Sequence, residues 1–196
     1  KNNYYLIVLT KMKSNYNIKN TPNIIITGGS GFIGTTAVQY GIEKGYQIVN
    51  FDVNPPKNPD LQEFWKHVDL RDYVSLSSTI EKIQPTHIIH LAADLGMEHK
   101  NFDNLQCNIK GIENLIKSVN NIDSIKRIIF TSSLLVCKNG YIPKSDTDYC
   151  PPNLYGKSKV MGEKIVRSAN LKCEWAIVRP TSIWGPWFDY SYKTFF

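Results

Sequence analysis

The chain has 196 residues, 42% of them apolar, and a net charge of +6, which suits one globular domain with a substantial core. Its lysines are scattered, and runs such as Lys11-Met12-Lys13 and Lys117 to Lys126 are broken by neutral residues; this excludes a nucleic-acid-binding stripe but leaves a mildly positive field that suits anionic ligands. Cysteines 107, 137, 150 and 173 show no Cys-x-x-Cys spacing and no histidine cluster beside them, which excludes a metal site and a disulfide framework and fits a reducing cytoplasm.

Residues 1–22 are rich in Asn, Lys and Tyr and are expected to be an N-terminal extension outside the fold. Their apolar stretch Tyr4–Leu9 is too short to span a membrane, and no small-residue cleavage site follows it. From there, strand-like runs at 23–27, 47–51, 66–68, 86–91, 125–132 and 173–178 alternate with helical periodicity at 32–44, 72–83, 104–120 and 154–170. Leu105, Ile109, Ile112, Leu115, Ile116 and Val119 form one wide helical stripe. Several strands are unbroken apolar runs, as parallel strands buried on both faces require. The alternation predicts an α/β, doubly wound parallel sheet of Rossmann type with helices on both faces. Residues 23–180 would be this domain, and 181–196 would begin a substrate lobe that is largely missing.

The first strand runs Ile24-Ile25-Ile26-Thr27 into Gly28-Gly29-Ser30-Gly31-Phe32-Ile33-Gly34. Glycines spaced three apart between a strand and a helix make a phosphate cradle. Gly28 turns the chain, Gly31 lets a pyrophosphate approach, and Gly34 lets the helix pack closely. The helix N-terminus adds unpaired N–H groups and a positive dipole end. Asp52 follows 18 residues after Gly34, at the end of the second strand. A carboxylate there accepts both adenosine ribose hydroxyls and repels a 2′-phosphate, so the pattern indicates NAD rather than NADP.

Tyr155-Gly156-Lys157-Ser158-Lys159 opens the last helix, with Tyr155 and Lys159 four apart on one face. By spacing alone the pair also suits a solvated helix face. A phenol titrates near ~10 unaided, and a fixed ammonium with a positive nicotinamide nearby would favour phenolate, making Tyr155 a general base. The strand Ile128–Ser133 offers hydroxyls at its carboxyl end, where ligands of such sheets sit. Thr131 and Ser132 also read as ordinary strand-end caps.

Taken together, these residues resemble the extended short-chain dehydrogenase/reductases, the NAD-dependent epimerase/dehydratase family. The matching elements are Thr27-Gly28-x-x-Gly31-x-x-Gly34, Asp52, Asp69-Leu70-Arg71-Asp72, His90-Leu91-Ala92-Ala93, Asn108-x-x-Gly111-x-x-Asn114, Ser132-Ser133-x-x-Val136, Tyr155-x-x-x-Lys159 and Arg179-Pro180-Thr181. The resemblance implies that Gly28, Gly31, Phe32, Ile33, Gly34 and Asp52 bind NAD. Asp69 and Leu70 would contact adenine, and Leu91, Ala92 and Ala93 would line the cleft through their backbone. Asn108 would brace the site, Pro180 to Ile183 would lie near the carboxamide, and Ser133, Tyr155 and Lys159 would be catalytic. His90 would be a strand-end residue, and the loop from Asp94 to Asp103 would touch substrate. The implied reaction moves a hydride between a sugar carbon and the nicotinamide through a 4-keto sugar, on a nucleotide-sugar substrate, in surface polysaccharide synthesis. The implied partner is a second copy, paired through helices 104–120 and 154–170.

Leu134 and Leu135 stand where the family's dehydratases carry an Asp-Glu pair, which disfavours dehydration. Cys137 and Lys138 stand where Tyr-Gly often follows the valine, which loosens the substrate side. An epimerase, a keto-sugar or other carbonyl reductase, and a non-catalytic dinucleotide-binding regulator or inactive fragment remain as alternatives. Asp52 tilts the choice towards the epimerase, and retention of Tyr155 and Lys159 weighs against the regulator.

Overall fold

A computed structural model describes residues 21–95 and 105–188. The expectations for residues 1–20, for residues 96–103 of the substrate-side loop and for residues 189–196 lie outside the described residues.

The elements alternate as expected. They are β1 (Asn23–Thr27), α1 (Phe32–Glu43), β2 (Gln47–Asp52), β3 (Trp65–His67), α2 (Tyr73–Ile83), β4 (His87–His90), α3 (Gln106–Val119), β5 (Arg127–Thr131), α4 (Leu154–Ser168) and β6 (Glu174–Val178). Two short 3-10 turns, Pro59–Phe64 and Leu134–Val136, were not foreseen. Local chemistry sets the helix ends. Asp72 caps α2 by accepting from Ser75 N at 3.1 Å, and Asn153 caps α4 by accepting from Gly156 N at 2.8 Å. Gln84 closes α2 in the left-handed region at φ 49°, and Pro85 follows it.

The six strands form one sheet in the order β3-β2-β1-β4-β5-β6. Every pairing is parallel, with Ile24 beside Ile48 and His87, and Thr27 beside Phe51 and His90. The run Ile24-Ile25-Ile26 is buried on both faces, as its lack of alternation requires. Ile25 joins a large cluster with Phe51, Leu76, Ile80, Leu115, Ile128 and Val166, under α2, α3 and α4. Ile24 and Ile26 join a smaller cluster with Val38, Ile48 and Leu61, under α1. Each such isoleucine contributes about 1.5–3 kcal/mol by leaving water. The layers are unequal. Among the described residues, three α-helices cover one face, and α1 with the Pro59–Phe64 turn the other.

The direction of winding reverses between β1 and β4, so a crevice opens beyond the carboxyl ends of those strands. Thr27 and His90 are register partners at its floor.

Candidate active site

One wall of the crevice is the glycine turn. Gly28 sits at φ +73°, and a Cβ there would lie 2.6 Å from Ala92 N, so the turn rests directly against the strand-end segment Leu91-Ala92-Ala93. At Gly34 a Cβ would lie 2.0 Å from Gly28 O. What its absence permits is contact of α1 with the loop itself, rather than the helix-on-sheet packing expected. Gly31 differs, because a Cβ there would meet only Gly28 O at 3.2 Å and the residue is exposed. Its open side is available to a phosphate. Phe32 and Ile33 occupy the first turn of α1, half-buried. The Phe32 ring meets Phe188 edge-on at 4.8 Å.

Asp52 ends β2 with its carboxylate turned towards this loop. Oδ2 accepts from Ser30 N at 3.1 Å and Oδ1 from Asn54 N at 2.9 Å. Each oxygen keeps a lone pair for a further donor. Behind it, the buried Asn50 donates Nδ2–H to Ser30 Oγ at 3.0 Å. That brace was missed in the sequence, where Asn50 passed as one polar residue in an apolar run.

Beyond β3, Asp69 and Leu70 reach the same edge, both half-buried. The Arg71 guanidinium holds Asp69 through Nε at 3.0 Å and the terminal nitrogen at 2.6 Å, and this bond keeps the Asp69 carboxyl below the usual range. Asn114 on α3 donates Nδ2–H to Leu70 O at 2.8 Å and Arg71 O at 2.9 Å. Gly111 lets α3 approach the Leu70 side chain, which a Cβ would meet at 3.3 Å.

On the β4 side, Leu91 N donates to Thr27 O at 3.0 Å, and Ala92 N to Thr27 Oγ1 at 3.3 Å. Thr27 Oγ1 lies 2.8 Å from His90 Nδ1. Burial, and then the Lys159 charge, press the His90 pKa down to about 3, so the ring is neutral and structural. Asn108 is buried on α3. It accepts from Asp94 N at 2.7 Å and donates to Asp94 O at 2.8 Å and to Ser158 Oγ at 3.0 Å. It thereby ties the segment after Ala93 to α4.

Ser133 follows β5 and caps the Leu134–Val136 turn, its Oγ accepting from Leu135 N at 3.1 Å. Gly156 brings α4 onto that turn, since a Cβ there would lie 2.2 Å from Leu135 O. The contact sets Tyr155 beside Ser133. Burial raises the Tyr155 pKa, and the Ser133 hydroxyl only partly offsets this. Lys159 is not among the causes of this shift. Lys159 Nζ lies 5.6 Å from the Tyr155 ring centroid and donates to Thr131 O at 3.0 Å. Burial lowers the Lys159 pKa to about 8. Pro180 joins the same corner, its carbonyl accepting from Leu134 N at 3.1 Å.

Under these residues lies a cluster that sequence reading did not find. Glu163 is buried on α4. Its Oε1 accepts from Ser132 Oγ at 2.6 Å and Arg179 Nε at 2.7 Å. Its Oε2 accepts from Tyr149 OH at 3.0 Å and from Arg179 at 2.6 Å. Burial pulls its pKa up, but Arg179, Ser132 and Tyr149 outweigh burial and leave it lowered. Ser132 is therefore not an ordinary strand-end cap; it links β5 to α4. The signal was present in Glu163, four residues after Lys159 on the same helix face, and in Arg179 before Pro180.

A family model described as the NAD dependent epimerase/dehydratase family matches residues 24–195. The chain belongs to that family. It is 30% identical over 176 residues to a UDP-glucose 4-epimerase of Vibrio cholerae, covering 84% of this chain and 52% of that protein. It is 28% identical over 196 residues to UDP-glucuronate 4-epimerase 1 of Arabidopsis thaliana, covering 88% and 46%. The fold is shared with the Thermus thermophilus UDP-glucose 4-epimerase solved in complex with NAD, at TM-score 0.65 and 23% identity, covering 80% and 54%. The chain thus spans about half the length of the curated relatives it matches. Within this NAD-dependent enzyme family, Leu134 and Leu135 are both exposed beside Ser133. Neither side chain can move a proton.

Proposed function

We propose that this chain supplies the cofactor domain and the proton-transfer residues of an NAD-dependent nucleotide-sugar epimerase. The observation that carries this reading is the meeting of Ser133, Tyr155 and Lys159 on the sheet edge that also holds the glycine cradle. The cradle fits a dinucleotide, because Gly28 and Gly34 leave no room for a Cβ while Gly31 is open outward. Gly28, Gly31, Phe32, Ile33 and Gly34 would hold the pyrophosphate. Asp52 would accept the adenosine ribose hydroxyls, and Asp69 and Leu70 would flank adenine. Leu91, Ala92, Ala93, Asn108 and Pro180 would complete the cleft.

NAD, when bound there, supplies the acceptor and donor of hydride. Tyr155 Oη takes the proton of the sugar hydroxyl and returns it, and Ser133 Oγ holds the same sugar oxygen by a hydrogen bond. Lys159 would hold the nicotinamide ribose hydroxyls, and its ammonium would offset the burial that holds Tyr155 protonated. The names of the curated relatives support a UDP-sugar as the substrate class. Asp52 weighs against the reductase alternative, since a carboxylate there repels the 2′-phosphate of NADPH. In this reading residues 23–180 are the cofactor domain, residues 181–188 lead into a substrate lobe, and the protein works in a reducing cytoplasm as a homodimer through α3 and α4.

Tyr155→Phe tests the assignment in the whole protein. Interconversion of UDP-hexose epimers falls by a factor of about 10²–10⁴, while NAD binding, followed by calorimetry, is unchanged. Turnover that survives the substitution sinks the assignment of Tyr155 and the mechanism with it.

A further inference from the structure

Cys137 and Cys150 are directly opposed. Cys150 N donates to Val136 O at 3.0 Å and Lys138 N to Cys150 O at 2.7 Å, which makes the two cysteines Cα partners in an isolated parallel bridge. Parallel neighbours stand about 4.8 Å apart and project paired side chains to one side, within the Cα range that a disulfide spans. Because the bridge is isolated, no longer ladder resists a small tilt that draws the two Cβ atoms together. The Cys137 thiol already leans towards the other strand, donating to Asp148 O at 3.4 Å. Both cysteines are free and half-buried, so a small reagent can reach them.

The pair forms the neck of the 138–149 loop. Inside that loop, Asp148 accepts from Tyr141 OH at 2.7 Å and Lys144 N at 2.9 Å, so the loop has a fixed shape that holds its two ends together. Cys137 closes the turn that Ser133 caps. Cys150 precedes the Asn153 cap of the helix that carries Tyr155.

We propose that Cys137 and Cys150 are a thiol–disulfide modification site, oxidised by low-molecular-weight disulfides to an intramolecular bond that staples the neck of this loop. One thiolate attacks the small disulfide, releases one small thiol and forms a mixed disulfide. The other thiolate attacks the protein sulfur of that bond and releases the second small thiol. Two electrons and two protons pass from the pair to the oxidant, which leaves as two thiols. In a reducing compartment the pair rests as dithiol and closes only under oxidant, as redox-sensing cytosolic disulfides do.

The test is exposure of the full chain to oxidised glutathione, acid quenching, alkylation and tryptic mapping without reductant. The expected product joins the peptides 128–138 and 145–157 through one disulfide and carries no glutathione. In Cys137→Ser or Cys150→Ser the second step is impossible, so the remaining cysteine keeps a glutathione adduct. Three results overturn the proposal: four alkylated thiols after oxidation, a lasting glutathione adduct on the native pair, or linkage of either cysteine to Cys107 or Cys173. The map reads the bond itself, so it succeeds or fails separately from the epimerase reading.

Discussion

In the proposed mechanism, Lys159 sets function against stability. Its folded pKa, about 8, lies below the ordinary 10.5. The folded state therefore binds the proton less tightly than the unfolded state, and stability from this group rises as pH climbs from about 8 to 10.5. At neutral pH both states are protonated and the burial cost is fully present. Lys159→Met is expected to raise stability at pH 7 by roughly 1–3 kcal/mol in urea titrations while abolishing turnover. His90 has the same sign of dependence, shifted to acid pH. Its folded pKa of about 3, against 6.5 unfolded, means that the unfolded state gains a proton first as pH falls below 6.5. Between about pH 6.5 and 5, unfolding free energy should drop by about 2 kcal/mol, and His90→Asn should flatten that slope. Tyr155, Lys159 and Asp52 stood out as candidates in the sequence because their proposed chemistry is tied to local spacing. Glu163 was not, since its partners Ser132, Tyr149 and Arg179 lie far along the chain and meet it only in the fold.

At the level of elements, the β1 turn and α1 act as one unit. Two glycines three apart should respond differently to the same methyl group. At Gly34 the added Cβ collides with backbone at 2.0 Å. Gly34→Ala should therefore cost several kcal/mol or prevent folding, read as a fall in melting temperature. At Gly31 the backbone is extended, with φ −75° and ψ 179°, and the Cβ meets little. Gly31→Ala should keep the melting temperature but weaken NAD binding by tenfold or more in calorimetry. Strands and helices were readable because apolar runs and three-four spacing are properties of contiguous residues. The Pro59–Phe64 and Leu134–Val136 turns have no such period. Each rests on a single local cap, Asn58 accepting from Asp60 N and Ser133 from Leu135 N, and the second also on a distant contact, where Leu134 N reaches Pro180 O.

For the whole molecule, the parallel, doubly wound sheet follows from the alternation, whereas the strand order β3-β2-β1-β4-β5-β6 and the unequal covering of the two faces do not. The proposed dimer face raises a question of charge. The outer ridges of α3 and α4 expose Lys110, Glu113, Lys117, Lys157, Met161 and Lys164, four lysines to one glutamate, so two copies brought face to face would oppose two net-positive surfaces. Self-association through this face should strengthen as salt rises from about 0.01 to 0.15 M, where the screening length shortens from about 30 to 8 Å. Sedimentation that weakens with salt, or ignores it, would place the interface elsewhere.

The central position of β1 also bears on how the chain comes to fold. Its residues pair on one side with β4, where the bond from Thr27 to His90 spans 63 positions. Such a pairing closes a long loop before it gains any contact, and parallel sheets built this way form slowly. During synthesis Ile24-Ile25-Ile26 emerges well before its β4 neighbour exists. For that interval a strand with four of its five residues buried in the fold is exposed and apolar, and aggregation of the nascent chain competes with folding there.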